Sequence, residues 1–219
     1  MQGIDGTALL GPDAIDPIVV FNALGYDGLL DLMRKARPPF RVSFLSPTLG
    51  MPVDLRDEHI AAGTNFPEHA GDAGVEDGPF LFPKIVRPTG PHDTVSMGKA
   101  LLDYETELAV VTLKDLKPGD KLENVGLLLC NDFTDRETLF HELDPWDVAS
   151  GEGFTTGKSF PGYLRVGDLF VIPRDFRKFV ADLQLQLYVN EHLRQRGPTT
   201  EMVLDFDEIL AKAWEWKGP

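Results

Sequence analysis

The sequence contains a single cysteine, Cys130, which excludes an intrachain disulfide. Because Cys130 follows three leucines, we predict that it is a small buried side chain. The chain has no apolar run of about 18 residues, the length that a transmembrane helix requires, and no basic segment followed by an apolar stretch at its start. We therefore expect a cytoplasmic protein that does not associate with membranes.

Basic residues are also scarce. The chain has 21 Lys and Arg residues against 35 Asp and Glu residues, a formal net charge of −14. A surface of that sign attracts neither a nucleic acid backbone nor anionic lipid, so we expect neither as a partner. Hydrophobic residues make up 42% of the 219 residues. This ordinary globular composition predicts a packed core in one sizeable domain, with or without a small appendage.

Consecutive prolines divide the chain near residue 40. Residues 1–40 are predicted to form a small N-terminal segment, with a short strand at 18–21 and then a helix that Asp27 caps and Pro38-Pro39 ends. Residues 41–219 are predicted to form one domain. Its expected strands lie at 40–45, from 60, and at 80–86, 101–111, 122–134, 168–173, 183–189 and 192–196, and its expected helices at 136–143 and from 205.

The most informative stretch is the acidic strand at 101–111. Successive strand side chains point to opposite faces, so Glu105 and Glu107 share one face about 7 Å apart. Two ionised carboxylates about 4 Å apart repel by about 4 kcal/mol at an effective dielectric constant of about 20, a large share of a domain's stability. A divalent cation between them reverses that sign, and oxygen ligands favour Mg²⁺, Mn²⁺ or Ca²⁺. The alternative is an edge strand with a solvated acidic face.

A histidine and an aspartate are candidates for proton transfer. His69 and Asp72 are three residues apart on a short helical turn that Pro67 is expected to open, and so would be neighbours. A carboxylate beside an imidazole orients the ring and raises its basicity, which suits a general base for water. The alternative is a surface histidine near a capping aspartate.

Two further residues are candidates for the same site. Asp132 stands at the polar end of a buried apolar run, where it is the natural third oxygen ligand or else the cap of the helix at 136–143. Lys158 lies in a Gly-rich loop at 151–159 that is not a phosphate-binding P-loop, because Glu152 stands where that motif needs a glycine. Lys158 is therefore either solvated or neutralises an anionic substrate.

Six motifs, in order along the chain, resemble those of the fumarylacetoacetate hydrolase family. They are Gly63-Thr64-Asn65-Phe66 with His69, Pro79-Phe80-Leu81-Phe82-Pro83-Lys84, the acidic strand at 102–111, Asn131-Asp132-Phe133-Thr134-Asp135-Arg136, Gly157-Lys158-Ser159-Phe160, and Tyr188-Val189-Asn190 with Arg194-Gln195. Any one of these motifs is weak evidence, whereas six in the family's order favour the site interpretation of each candidate over its alternative.

The resemblance implies an α+β fold, a mixed β-roll of the fumarylacetoacetate hydrolase catalytic-domain type after the short N-terminal segment, assembled as a homodimer. It implies Mg²⁺ or Mn²⁺ as the cofactor, with Ca²⁺ as a substitute in crystals. The implied metal ligands are Glu105, Glu107 and Asp132. The implied catalytic residues are His69, Asp72 and Lys158, and the implied substrate-binding residues are Arg136, Gly157 and Lys158.

The activity that the resemblance implies is metal-dependent hydrolysis of a C–C bond in an acylpyruvate-like 2-oxo acid, a 1,3-dicarbonyl compound of the kind met in aromatic catabolism. Three carboxylates leave open positions on an octahedral ion, where such an acid can chelate. The alternatives are decarboxylation, isomerisation or dehydration of a 2-oxo acid on the same scaffold, or a non-catalytic ligand-binding relative.

Four departures from the family pattern bear on this activity. Phe66 replaces the usual Tyr and Asp72 the usual Glu, which shortens the pair with His69 by one methylene. Leu139 stands where some members have a substrate-binding Gln. Family members continue after the position of Pro219 into strands that carry a T-G-T-P-x-G-V-G loop, which closes the site, so we expect either that this sequence is partial or that the site is open on one side.

Overall fold

The computed structural model describes residues 2–5, 7, 10–11, 16–36, 41–43, 49–67, 78–97 and 101–215. In these ranges, mixed strands and helices confirm the predicted α+β class. The strands are β1 (Gln2–Ile4), β2 (Arg41–Ser43), β3 (Glu58–Gly63), β4 (Phe80–Ile85), β5 (Leu102–Asp103), β6 (Thr106–Thr112), β7 (Val125–Asp132), β8 (Thr134–Asp135), β9 (Leu164–Val171), β10 (Gln184–Val189) and β11 (His192–Pro198). The helices are α1 (Pro17–Lys35), α2 (Arg136–Glu142), α3 (Phe154–Lys158), α4 (Phe176–Ala181) and α5 (Phe206–Glu215). No helix within these ranges is long and apolar enough to cross a bilayer.

The centre of the fold is an antiparallel sheet in the order β6-β7-β9. Alternate side chains of β7 enter two different cores, one on each face of the sheet. Leu127 packs in the core that α4 and α5 cover, whereas Leu128 and Cys130 pack in the opposite core. Asp132 continues the row of Leu128 and Cys130, and Glu107 pairs directly with Cys130 across the strands. Both carboxylates therefore lie at the end of a buried row.

The acidic stretch is not one continuous strand. It divides into β5 and β6, and Glu105 lies in the break between them. The chain changes partner there, since Asp103 pairs with Thr134 of β8 while Thr106 pairs with Asn131 of β7. The predicted strand at 101–111 was therefore right in type and wrong in continuity.

The strand predicted at 18–21 was wrong, because these residues form the first turn of α1. Pro17 occupies the first turn of the helix, and the Asp16 side chain accepts a hydrogen bond from the Ile18 N–H at 2.8 Å. These start signals outweigh the strand preference of the β-branched residues that follow. The helix is interrupted at Gly25, whose φ of +61° is outside the helical range. Pro38-Pro39 lies outside the described residues.

The predicted hairpin near the end of the chain is confirmed. β10 alternates exposed and buried positions, as its sequence pattern indicates, and pairs antiparallel with β11. Asn190 and Glu191 connect the strands with φ values of +49° and +67°, the left-handed conformation that a tight two-residue turn requires.

Asp135, not Asp132, caps helix α2. Its side chain accepts a hydrogen bond from the Thr138 N–H at 2.9 Å. The alternative role for Asp132, that of a helix cap, is therefore excluded, and its carboxylate is available to the cluster described below.

The Gly-rich segment at 151–159 contains the short helix α3, which ends at Lys158. Gly153 precedes α3 with φ +80°, and a Cβ placed there would lie 2.9 Å from the Leu139 carbonyl oxygen and 3.0 Å from the Leu143 nitrogen. Only glycine combines this backbone conformation with so close an approach to α2. The position of Lys158 therefore depends on Gly153.

The contrast between two glycines tests this dependence. Gly162 has a similar φ of +84° but nothing within 4 Å of its ideal Cβ. We expect Gly162→Ala to cost about 1 kcal/mol of unfolding free energy through backbone strain, and Gly153→Ala to cost a further 1–3 kcal/mol or so through overpacking. Urea unfolding of the two variants measures the difference. Equal losses would show that α2 shifts to make room for the added methyl group, so that the close contact does not require glycine at position 153.

Candidate active site

Three acidic side chains from separate parts of the chain meet at one place. Glu105 comes from the break between β5 and β6, Glu107 from β6, and Asp132 from the end of β7. One carboxylate oxygen of each lies within 4.8 Å of those of the other two. The structure thus brings together the three residues predicted as metal ligands, and their role as ligands stays a prediction.

Two buried lysines point their ammonium groups at this cluster. Lys158 donates hydrogen bonds to Glu105 Oε2 and to Asp132 Oδ2, both at 2.6 Å. Lys84, on β4, donates to Asp132 Oδ1 and to the main-chain carbonyl of Lys158. Lys84 is 2% exposed and Lys158 is 3% exposed. The alternative prediction from the sequence, that Lys158 is solvated, is therefore wrong.

Lys84 was not predicted as a site residue, although it ends one of the resembling motifs. The signal was a lone cation in an otherwise apolar strand, Phe80–Ile85. A lysine at an inward-facing position of such a strand requires a buried counter-charge, because an unpaired ammonium is costly to bury. That counter-charge is Asp132.

Arg136, at the start of α2, donates hydrogen bonds at the edge of the cluster. Its Nε donates to Asp103 Oδ2 at 2.8 Å, and its terminal nitrogen donates to Glu105 Oε1 at 2.7 Å. The guanidinium thus fixes the side chain of Glu105 and links it to β5. Its predicted contact with substrate stays a prediction.

Gly157, predicted to bind substrate, has a clear packing role in the structure. A Cβ at this position would lie 3.0 Å from the Leu139 Cβ, so the glycine lets α2 and α3 approach closely. Leu139 is 2% exposed and fills this contact. The leucine that stands in place of a polar residue is therefore part of the packing that places Lys158.

His69 and Asp72, the predicted water-activating pair, lie outside the described residues. Asn65, which precedes them, attaches this part of the chain to Leu204. Its side chain donates a hydrogen bond to the Leu204 carbonyl at 3.0 Å and accepts one from the Leu204 N–H at 2.8 Å. The role of the pair stays a prediction.

The pKa values of two carboxyl groups in the cluster, Glu107 and Asp132, are shifted in opposite directions. Burial, with the neighbouring Asp132 and Glu105, raises the pKa of Glu107 to about 8. Burial also raises the pKa of Asp132, but Lys158 and Lys84 outweigh it, so that the pKa of Asp132 falls below its usual range. Of these two carboxyl groups, Glu107 is therefore the one whose charge the lysines compensate less.

The residues of the cluster fit a hard divalent cation. The three convergent donors are all carboxylate oxygens, which is the ligand set that Mg²⁺ and Mn²⁺ prefer. The pKa of Glu107 is raised first by burial and then by repulsion from Asp132 and Glu105, which the two lysines counteract only in part. A cation held by Glu105, Glu107 and Asp132 would offset that repulsion.

The chain belongs to the fumarylacetoacetate hydrolase family. The sequence model that represents the fumarylacetoacetate (FAA) hydrolase C-terminal domain in this family matches residues 58–215 of the chain. This match covers the acidic cluster and both lysines, and it confirms the resemblance found in the sequence. The family consists of enzymes that include hydrolases and isomerases.

Relatives of the chain include both kinds of enzyme. A Burkholderia ambifaria protein to which hydrolase activity is attributed is 30% identical over 89% of this chain and 69% of its own length. A probable 2-hydroxyhepta-2,4-diene-1,7-dioate isomerase from Mycobacterium abscessus is 28% identical over 75% of this chain and 58% of its own, with a TM-score of 0.55. The chain likewise spans 58% of the length of another curated relative, from Burkholderia lata.

A further protein of similar fold has a solved structure that contains a metal ion. The structure of fumarylpyruvate hydrolase from Pseudomonas aeruginosa, in complex with Mn²⁺ and pyruvate, has a TM-score of 0.55 and 20% identity over 72% of this chain and 71% of its own. At this identity the similarity establishes the shared fold.

The raised pKa of Glu107 has a consequence for stability. Because the folded protein holds this proton up to about pH 8, whereas an unfolded glutamate releases it near 4.5, the metal-free protein loses stability as the pH rises through that interval. We expect the melting temperature of Glu107→Gln, relative to wild type in EDTA, to increase from about pH 5 to about pH 8. Glu123→Gln, at an exposed ion pair with Lys114, is the control and should show no such trend.

The buried pair of Lys84 and Asp132 should contribute to the stability of the fold. Lys84→Met removes one of the two lysines bound to Asp132, while Lys158 still pairs with that carboxylate. We therefore expect Lys84→Met to lose about 1.5–3 kcal/mol of unfolding free energy in urea titrations without metal, the usual range for a hydrogen bond to a charged group. Lys114→Met removes an ion pair whose side chains are 62% and 69% exposed, and should lose less than about 1 kcal/mol. Similar losses for the two variants would contradict this assignment.

Proposed function

We propose that Glu105, Glu107 and Asp132 hold Mg²⁺ or Mn²⁺ and that the protein hydrolyses a C–C bond in an acylpyruvate-like 2-oxo acid. The observation that carries this proposal is the convergence of three carboxylate oxygens within 4.8 Å of one another. The presence of Mn²⁺ and pyruvate in the related fumarylpyruvate hydrolase supports it. The cytoplasmic location and the homodimer stay predictions.

When bound, the divalent cation would supply Lewis acidity, which polarises a ketone oxygen and favours negative charge on it. The residues of the chain would supply the remaining steps. His69, oriented by Asp72, accepts a proton from the water that attacks the distal carbonyl carbon. The C–C bond then breaks, the distal fragment becomes a carboxylate, and the pyruvate carbon takes up a proton.

Lys158 is well placed to stabilise negative charge during this reaction. Its ammonium is buried and donates to two carboxylates of the cluster, so it needs no further desolvation when substrate binds. Positive charge fixed in advance in a water-poor site lowers the barrier more than the same charge in solution. Arg136, beside Glu105, would face the substrate carboxylate.

Isomerisation of a 2-oxo acid is the second candidate. It is favoured by the 28% identity to the Mycobacterium abscessus protein named as an isomerase. The two reactions share polarisation of the 2-oxo acid and differ in whether water is added. Mass analysis of the products separates them, because hydrolysis yields two acids and isomerisation conserves mass.

The proposed activity is tested by the loss of enol absorbance when the protein is mixed with Mn²⁺ and acylpyruvates of several chain lengths. We expect metal-dependent loss with at least one of them. Asp132→Asn should reduce kcat/KM by more than about 100-fold, since even residues that only support metal ligands cost about 10–100-fold. Glu123→Gln, a surface carboxylate, should leave it unchanged. Equal rates with and without Mn²⁺ would refute the metal-dependent mechanism, and no turnover with any chain length would refute the substrate class.

A further inference from the structure

The Gln195 side chain binds both polar groups of a single main-chain residue, Thr106. The Thr106 N–H donates to Gln195 Oε1 at 2.7 Å, and Gln195 Nε2 donates to the Thr106 carbonyl at 3.1 Å. Thr106 is 5% exposed and stands between Glu105 and Glu107. The amide thus takes the place of a neighbouring strand along the outer edge of β6.

A β-bulge brings Gln195 to this position. In the hairpin, Leu187 pairs with Gln195 but the next residue, Tyr188, pairs with Leu193. Arg194 is therefore the extra residue of β11, directly before Gln195. Bulges change the direction in which the following side chains point, and they occur often beside functional sites.

The two hydrogen bonds constrain different peptide groups. The Thr106 N–H belongs to the peptide that follows Glu105, whereas the Thr106 carbonyl belongs to the peptide that precedes Glu107. Rotation about the Thr106 dihedral angles would turn one of these peptides against the other, and so turn the two glutamate side chains apart. A side chain that holds both groups at once opposes that rotation.

Other contacts act on parts of the cluster that Gln195 does not reach. The Glu105 carbonyl accepts from the Asp132 N–H at 2.8 Å, and Arg136 binds the Glu105 carboxylate. These contacts set Glu105 relative to β7 and α2. Gln195 sets the peptide between Glu105 and Glu107.

We propose that Gln195 is a positioning residue that fixes the Glu105 and Glu107 carboxylates relative to each other and thereby sets the affinity for a divalent cation. This inference rests on the proposed function, in which these carboxylates bind the metal. Gln195 itself touches neither carboxylate in this role and acts through the Thr106 main chain.

The test compares Gln195→Met with Gln186→Met. Methionine keeps the length of glutamine without its hydrogen bonds. Gln186 lies on the neighbouring strand, where its side chain bonds the exposed side chains of Gln184 and Tyr188. In metal-free protein, the rate of amide hydrogen exchange at Thr106 reports whether its N–H is hydrogen-bonded to Gln195. Electron paramagnetic resonance of free Mn²⁺ gives the Kd for Mn²⁺ without any assay of activity.

We expect Gln195→Met to exchange the Thr106 amide at least about 10-fold faster and to raise the Mn²⁺ Kd about 10–100-fold, as for other residues that support ligands. Gln186→Met should match wild type in both measurements. If Gln195→Met does not fold, Gln195→Asn is used instead, because it is polar but one methylene too short to hold both groups, and the same changes are expected.

Two results would overturn the inference alone, provided that wild type binds Mn²⁺. One is unchanged exchange at Thr106 in the Gln195 variant. The other is faster exchange with a Kd equal to that of wild type. If wild type binds no Mn²⁺ at all, the proposed function fails first and the inference fails with it, so the two failures are distinguishable.

Discussion

Repulsion among three clustered carboxylates, one buried and two partly buried, is the constraint on which this structure depends. Ionised oxygens within 4.8 Å of one another cost several kcal/mol in a medium of intermediate dielectric, a sizeable part of a domain's net stability. The fold offsets this cost with Lys84, Lys158 and Arg136, all of which donate to carboxylates of the cluster. Burial and the remaining repulsion from Asp132 and Glu105 together raise the pKa of Glu107 to about 8.

This constraint explains several local features that are otherwise unrelated. The strand break at Glu105 lets one acidic residue leave the regular sheet while Glu107 remains in it. The glycines of the 151–159 segment allow α3 to approach α2 closely enough for Lys158 to reach two carboxylates. Each feature costs backbone freedom or strain, and each is balanced by the charge that it brings to the cluster.

Much of the candidate site was predictable from the sequence. The two-residue period of a strand and the polar end of a buried run made Glu105, Glu107 and Asp132 candidates, and the resemblance of six ordered motifs to one family decided in favour of a site. The break in the acidic strand could not be read from the sequence, since it arises where the partner strand changes from β8 to β7, and both partners are distant in the sequence. Lys84 was missed because its partner, Asp132, is 48 residues distant.

The same cluster accommodates more than one reaction, which follows from its chemistry. Polarising a 2-oxo acid requires a cation and fixed positive charge, and both hydrolysis and isomerisation begin there. What separates the reactions is the delivery of water and the shape of the acyl pocket. The sequence departs from the family pattern outside the cluster, at Phe66, Asp72 and Leu139, and Asp72 belongs to the pair proposed to activate water. Family membership therefore constrains the electrostatics of the site more tightly than it constrains the substrate.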